Sequence, residues 1–188
     1  GALDKGARRY DLRHVVVNFA NVGTSYAVKV LGKTNAANAL GNTLFDWEGV
    51  RRCVRHLTND MGMEVVGVVF ENFKGLDNGQ HKAHGVPDDI RCMCESIEET
   101  PRLTGQNQKS ADDEMTLKCA YRRNCRFMDN DNYRDWLTKM RSEKCRSWLD
   151  GCQEFLQMRY YFDTKLGTFD TLDGNVPQAL LASTVRLP

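Results

Sequence analysis

A chain of 188 residues, 41% apolar and 27% charged, carries enough apolar material for one globular core. Its 26 basic and 25 acidic side chains leave a net charge of +1, which neither suggests nor excludes nucleic acid, so such a partner must be read from local clusters. No apolar run approaches the roughly 18 residues that cross a bilayer, and no signal-peptide pattern opens the chain; no membrane partner and a cytoplasmic location are expected.

In chain order, the apolar run "VVV" at residues 15–17 is the first strand candidate, ending in Asn18 and followed by Asn21. The stretch "SYAVKVLGKTNAANALGNT" reads as helix-poor, because glycines and asparagines break its periodicity. Trp47, Val50, Val54 and Leu57 then recur three or four apart, one stripe of an amphipathic helix closed by Gly62. The near-continuous apolar run at residues 64–70, "EVVGVVF", has the look of a buried parallel strand. "PDDIRCMCESIEE" reads as a helix with Pro87 in its first turn.

A polar loop at residues 100–111 leads into a helix, "DDEMTLKCAYRRN", with Met115, Leu117 and Cys119 inward. "CRFM" is the next strand, "DNDNYRDWL" a loop and helix start, and "SEKCRSWLDGCQEFL" a helix with a capping box at Ser142. "MRYYFD" closes the series as a strand, and the tail from Lys165 is expected to wrap the surface. Strands alternating with helices predict one α/β domain over residues 1–188, with its core at about 12–165, around a mainly parallel sheet.

Seven cysteines, an odd number with no secretory signal and no C-x-x-C pair, argue against a disulfide framework and for a reducing compartment. His81 and His84 with Cys92 and Cys94 offer metal-ligand chemistry in principle, though unpaired thiols and loop histidines explain them as well.

Acidic and amide residues fall at corresponding points of the alternation. Asn18 and Asn21 follow the first strand, Asp112 and Asp113 open a helix, and Asp129, Asp131 and Asp135 follow "CRFM". The carboxyl ends of neighbouring parallel strands face one crevice, where oxygen ligands suit Mg²⁺ or Mn²⁺ and the hydrolysis of phosphodiesters. Each residue also has a plainer role: Asp112 and Asp113 favour a helix N-terminus, Asp131 suits an N-cap, and Asn18 and Asn21 suit a turn.

The ordered segments resemble a known family. "NFANV" stands against D-G-S-N-V, "FDWEGV" against an F-x-x-x-G pattern, "ADDEMTLKCAY" against Y-D-D before a helix ending L-A-Y, and "DNDNYRD" against S-N-D-T-Y-R-D. The last two keep the family's spacing without a gap. The chain resembles the NYN-type PIN domain of the Regnase group of CCCH-zinc-finger-associated endoribonucleases. That resemblance implies a Rossmann-like three-layer sandwich and a Mg²⁺- or Mn²⁺-dependent endoribonuclease acting on single-stranded or stem-loop RNA, in mRNA decay or small-RNA silencing. It also implies pairing as a homo- or heterodimer with a related domain.

Carried over by motif position, Asp112, Asp113 and Asp131 would hold metal, Asn21 would position a ligand or water, and Asp135 would support the shell. The departure is Asn18, which stands where the family has its first aspartate. Losing that charge, at about 3–4 kcal/mol of transition-state stabilisation, would slow the reaction roughly a hundred- to a thousandfold. The alternative reading is therefore a catalytically dead pseudonuclease, an RNA-binding or dimerisation scaffold; an unrelated α/β metal phosphatase leaves the contiguous agreement from Asp112 to Asp135 unexplained.

Basic residues gather as Arg51, Arg52 and Arg55, as Arg122, Arg123 and Arg126, and from Arg134 through Lys139, Arg141, Lys144 and Arg146. Arg122, Arg123, Arg126 and Arg134 are the expected RNA contacts, and Tyr133 the expected stacking aromatic; the plainer reading is a set of solvated helix faces.

Overall fold

The computed structural model describes residues 3–34, 44–70, 85–101 and 111–172. Six strands form one sheet in the order β3-β2-β1-β4-β5-β6. These are β1 (Asp11–Asn18), β2 (Glu64–Phe70), β3 (Ser96–Thr100), β4 (Cys125–Met128), β5 (Gln157–Phe162) and β6 (Phe169–Leu172). The first five pair in parallel and β6 is antiparallel to β5. The helices are α1 (Phe19–Lys29), α2 (Trp47–Arg55), α3 (Asp88–Met93), α4 (Ala111–Arg123), α5 (Arg134–Lys139) and α6 (Glu143–Leu156), with a π-helical turn at His56–Asp60 after α2.

The apolar runs of β1 and β2 have no polar side because both sheet faces are covered. Val15, Val17, Val65 and Val69 point to a core completed by Phe19, Val22 and Tyr26 of α1 and by Trp47, Val50 and Val54 of α2. Val16, Val66 and Val68 point to a second core, closed by Leu117 and Ala120 of α4 and by Trp148, Leu149 and Leu156 of α6. The result is the three-layer α/β sandwich expected. Gly67, mid-strand in β2, makes room for α1: a Cβ there would overlap the Phe19 ring and crowd Ile97.

Three local expectations are corrected. The segment read as helix-poor begins inside α1, because Phe19, Val22 and Tyr26 sit three and four apart and all are buried. The helix from Pro87 stops at Met93, and residues 96–100 pair with β2 as a strand, Val66 with Ser96 through Phe70 with Thr100. Part of the tail continues the sheet as β6; residues 173–188 lie outside the described residues, as do His81 and His84. The Ser142 cap is present, its hydroxyl taking the Cys145 N–H at 3.3 Å. All seven cysteines are free thiols. Among the described residues no helix is long and apolar enough to cross a membrane.

Strand order places the functional crevice. The chain moves outward from β1 to β2 and β3, then returns to β4 on the other side of β1, so the order reverses between β1 and β4, where ligands of open α/β sheets bind. Filling the Gly67 notch should loosen the α1 layer above it. Gly67→Ala is expected to destabilise the fold by about 1–3 kcal/mol through overpacking against Phe19, measured by urea denaturation.

Candidate active site at the reversal of strand order

Asn18 is the last residue of β1 and the N-cap of α1, its side-chain oxygen accepting the Asn21 N–H at 3.4 Å. With no linker between strand and helix, the side chain is aimed straight into the crevice. Its amide nitrogen donates to Asp113 Oδ1 at 3.0 Å and to Asp129 Oδ2 at 2.7 Å. Asp112 and Asp113 come from the first turn of α4, and Asp129 from the residue after β4.

Asp129 is fully buried. Its Oδ2 also accepts the Tyr133 hydroxyl at 2.6 Å, and its Oδ1 accepts the Asp131 N–H at 2.8 Å. Asp131 Oδ1 in turn accepts the Tyr133 N–H at 2.8 Å, while Gln157 Nε2 holds the Asp129 and Asp131 carbonyls at 2.7 and 2.6 Å. Asn21 Oδ1 accepts the Tyr160 hydroxyl at 2.5 Å and the Asn130 N–H at 3.3 Å, which ties α1 to the turn after β4.

The electrostatics follow from crowding. Burial, then the neighbouring Asp112, Asp129 and Asp131, push Asp113 up to about 8, although the bond from Asn18 works in the opposite sense. Burial also raises Asp112 and Asp129, the latter against the Tyr133 hydroxyl, the Asp131 N–H and the Asn18 amide. Among the described residues none of these four carboxylates has a Lys, Arg or His ion pair. An all-oxygen donor set with uncompensated negative charge fits a hard divalent cation such as Mg²⁺ or Mn²⁺.

The expected site residues therefore divide. Asn18, Asn21, Asp112, Asp113 and Asp131 are brought together, and buried Asp129 joins them. Asp135 stands apart: its side chain is 85% exposed and lies 3.8 Å from Lys139. Asp131 makes a turn rather than capping α5, whose N-cap is Tyr133 in the left-handed conformation at φ 54°. Tyr133 itself is 1% exposed and bound to Asp129, so it is no stacking platform.

The expected RNA-binding arginines scatter as well. Arg122 and Arg123 end α4, about ten residues and hence about 15 Å along the helix from Asp112. Arg126 is half-buried in β4. Arg134 is exposed at the start of α5, directly after Tyr133, and the Arg159 guanidinium donates to the carbonyl of Asn130, in the turn before Asp131, at 2.9 Å. Arg51 and Arg52 are engaged by Glu48 at 2.7 and 3.0 Å.

A second acidic group escaped the sequence reading because its members are far apart in the chain. Among the described residues, the donor atoms of His14, Glu64 and Glu95 lie within 4.8 Å of one another. His14 and Glu64 face each other across β1 and β2, four residues and about 13 Å from Asn18. The imidazole bridges Asp11 at 2.6 Å and Glu64 at 3.0 Å, and Arg13 also pairs with Glu64, the pattern of an ion-pair network.

Because Asp113 holds its proton more tightly folded than unfolded, the folded state binds more protons between pH about 4 and 8. The stability this contributes is complete below the ordinary carboxylate value of 3.8 and is lost as pH rises through about 8. Thermal melts from pH 5 to 9 without divalent ions should show a falling Tm, and Asp113→Asn should flatten that slope.

No curated protein matches the chain. The family model described as the Zc3h12a-like ribonuclease NYN domain matches residues 11–166, which run from the first residue of β1 past the end of β5. Since that match takes in five of the six strands and every residue of the aspartate cluster, the chain belongs to the Zc3h12a-like ribonuclease NYN domain family.

Proposed function

We propose that this domain is a Mg²⁺- or Mn²⁺-dependent endoribonuclease acting on single-stranded or loop RNA. The carrying observation is the gathering of Asp112, Asp129 and Asp131 around Asp113 at the strand-order reversal, with the Asn18 amide bonded to Asp113 and Asp129, in a chain of a ribonuclease family. Asp113 and Asp131, the two members with solvent access, would hold the ion with Asp112 behind them. When bound, such an ion neutralises charge on the phosphate and favours ionisation of the attacking water.

The chain's own residues prepare that step. Asn18 and Tyr133 hold Asp129 still, and Gln157 fixes the turn that carries Asp131. Preorganised charge of this kind costs no reorganisation during reaction. Asp112 and Asp129 are recessed at 8% and 0% exposure, so the phosphodiester must dip into the crevice. A flexible single strand can do so more easily than a stacked duplex. Arg134, exposed at the start of α5, and Arg159, bonded to the turn that precedes Asp131, would meet flanking phosphates, with affinity that falls as salt rises.

The test is cleavage of an end-labelled single-stranded RNA with Mn²⁺ or Mg²⁺. Chelation should abolish cutting, and Asp113→Asn or Asp131→Asn should slow it about 10²–10³-fold, or about 3–4 kcal/mol. Asp135→Asn should stay close to the parent rate. A folded protein that binds RNA yet never cuts it with any divalent ion would establish the scaffold reading instead.

A further inference from the structure

Two aspartates confined to one water-poor crevice repel each other, and a neutral side chain stands between them. The Asn18 nitrogen carries two hydrogens; one reaches Asp113 and the other Asp129, at 3.0 and 2.7 Å. Chemistry sets the amide's orientation. Its oxygen takes the Asn21 N–H, and a flip would turn that oxygen on two carboxylates while setting N–H against N–H. Asn18 is 1% exposed and Asp129 is 0% exposed, so water cannot readily replace these bonds.

Asp129 is anchored as thoroughly as Asn18. It takes donors from β1, from the turn after β4 and from the residue that caps α5, through Asn18, Asp131 and Tyr133. The two positions also depart from the motifs quoted above in opposite senses. Position 18 has exchanged a carboxylate for an amide, and position 129 has exchanged a serine for a carboxylate. The number of acidic groups is conserved between them.

We propose that Asn18 and Asp129 form a positioning pair, in which the amide clamps Asp113 and Asp129 on either side of itself and Asp129 supplies the acidic charge that position 18 lacks. Asn18 is then a working part of this chain's site, not a lost ligand. The catalytic meaning of the pair rests on the nuclease reading above, whereas the clamp itself rests on the hydrogen bonds alone. It follows that a carboxylate at 18 would face two others with both donors removed, so Asn18→Asp impairs the site.

The experiment is a double-mutant cycle on the full chain with Asn18→Asp, Asp129→Asn and the two combined. Three quantities are read: Tm with and without Mn²⁺, Mn²⁺ affinity by calorimetry, and cleavage of labelled single-stranded RNA. Asn18→Asp is expected to lower the metal-free Tm and slow cleavage at least tenfold. Mn²⁺ should close much of that Tm deficit, because a cation relieves charge repulsion but not a packing defect. The combined variant should melt above Asn18→Asp alone, since one amide again faces one carboxylate.

Asn18→Ser, which keeps one donor and adds no charge, should melt between the parent and Asn18→Asp and covers the case in which Asn18→Asp does not fold. Additive Tm changes, or equal losses from Asn18→Ser and Asn18→Asp, would overturn the clamp. So would Asn18→Asp cutting RNA tenfold faster than the parent at an unchanged Tm. If no variant and no parent protein cuts RNA, the nuclease reading fails while the melting cycle still decides the clamp.

Discussion

Like charges brought together without counter-charge are the constraint around which this domain is arranged. Three aspartates in the crevice hold their protons more tightly than free carboxylates do, and the Asn18 amide is what lets two of them approach. The cost is borne by the sheet beneath. Val15, Val16 and Val17 are wholly buried on alternating faces of β1, and that packing fixes where Asn18 emerges. A stable core thus supports a locally unfavourable cluster, as is common where function demands it.

Helix placement eases the same constraint. α1 starts immediately after Asn18 and α4 starts at Ala111, so two helix N-termini open on the carboxylates. Each brings a partial positive charge to the crevice, and N–H groups of the two first turns bond the Asn18 amide oxygen and the Asp112 carboxyl. Several cations are paired with other carboxylates, with Arg51 and Arg52 on Glu48 and Arg123 facing Glu98 at 3.8 Å. Backbone dipoles rather than side-chain cations provide the nearest compensation among the described residues.

Much of this was legible in the chain. The valine runs of β1 and β2 announced a sheet buried on both faces, and the Trp47-to-Leu57 stripe announced α2. Asn18, Asn21, Asp112, Asp113 and Asp131 were marked by their places after strands and at a helix start. Asp129 was harder to value, because an aspartate opening a turn looks solvated; its burial depends on Asn18, 111 residues away. Tyr133 misled for the same reason, since its hydroxyl finds a partner only once α5 has folded back. β3 was hidden because "SIEET" has acidic residues suited to a helix, and only pairing along β2 makes it a strand. Asp135 was grouped by sequence spacing, but α5 turns it towards Lys139.

The direct passage from β1 into α1 has a consequence for how the domain can change over time. A strand repeats every two residues and a helix every 3.6, and here the switch happens at a single position. One residue gained or lost between Val17 and Phe19 would swing the amide out of the crevice and turn Phe19 away from Gly67 together. At this junction the number of residues is held as tightly as their identity, since the same short stretch serves the core and the crevice at once.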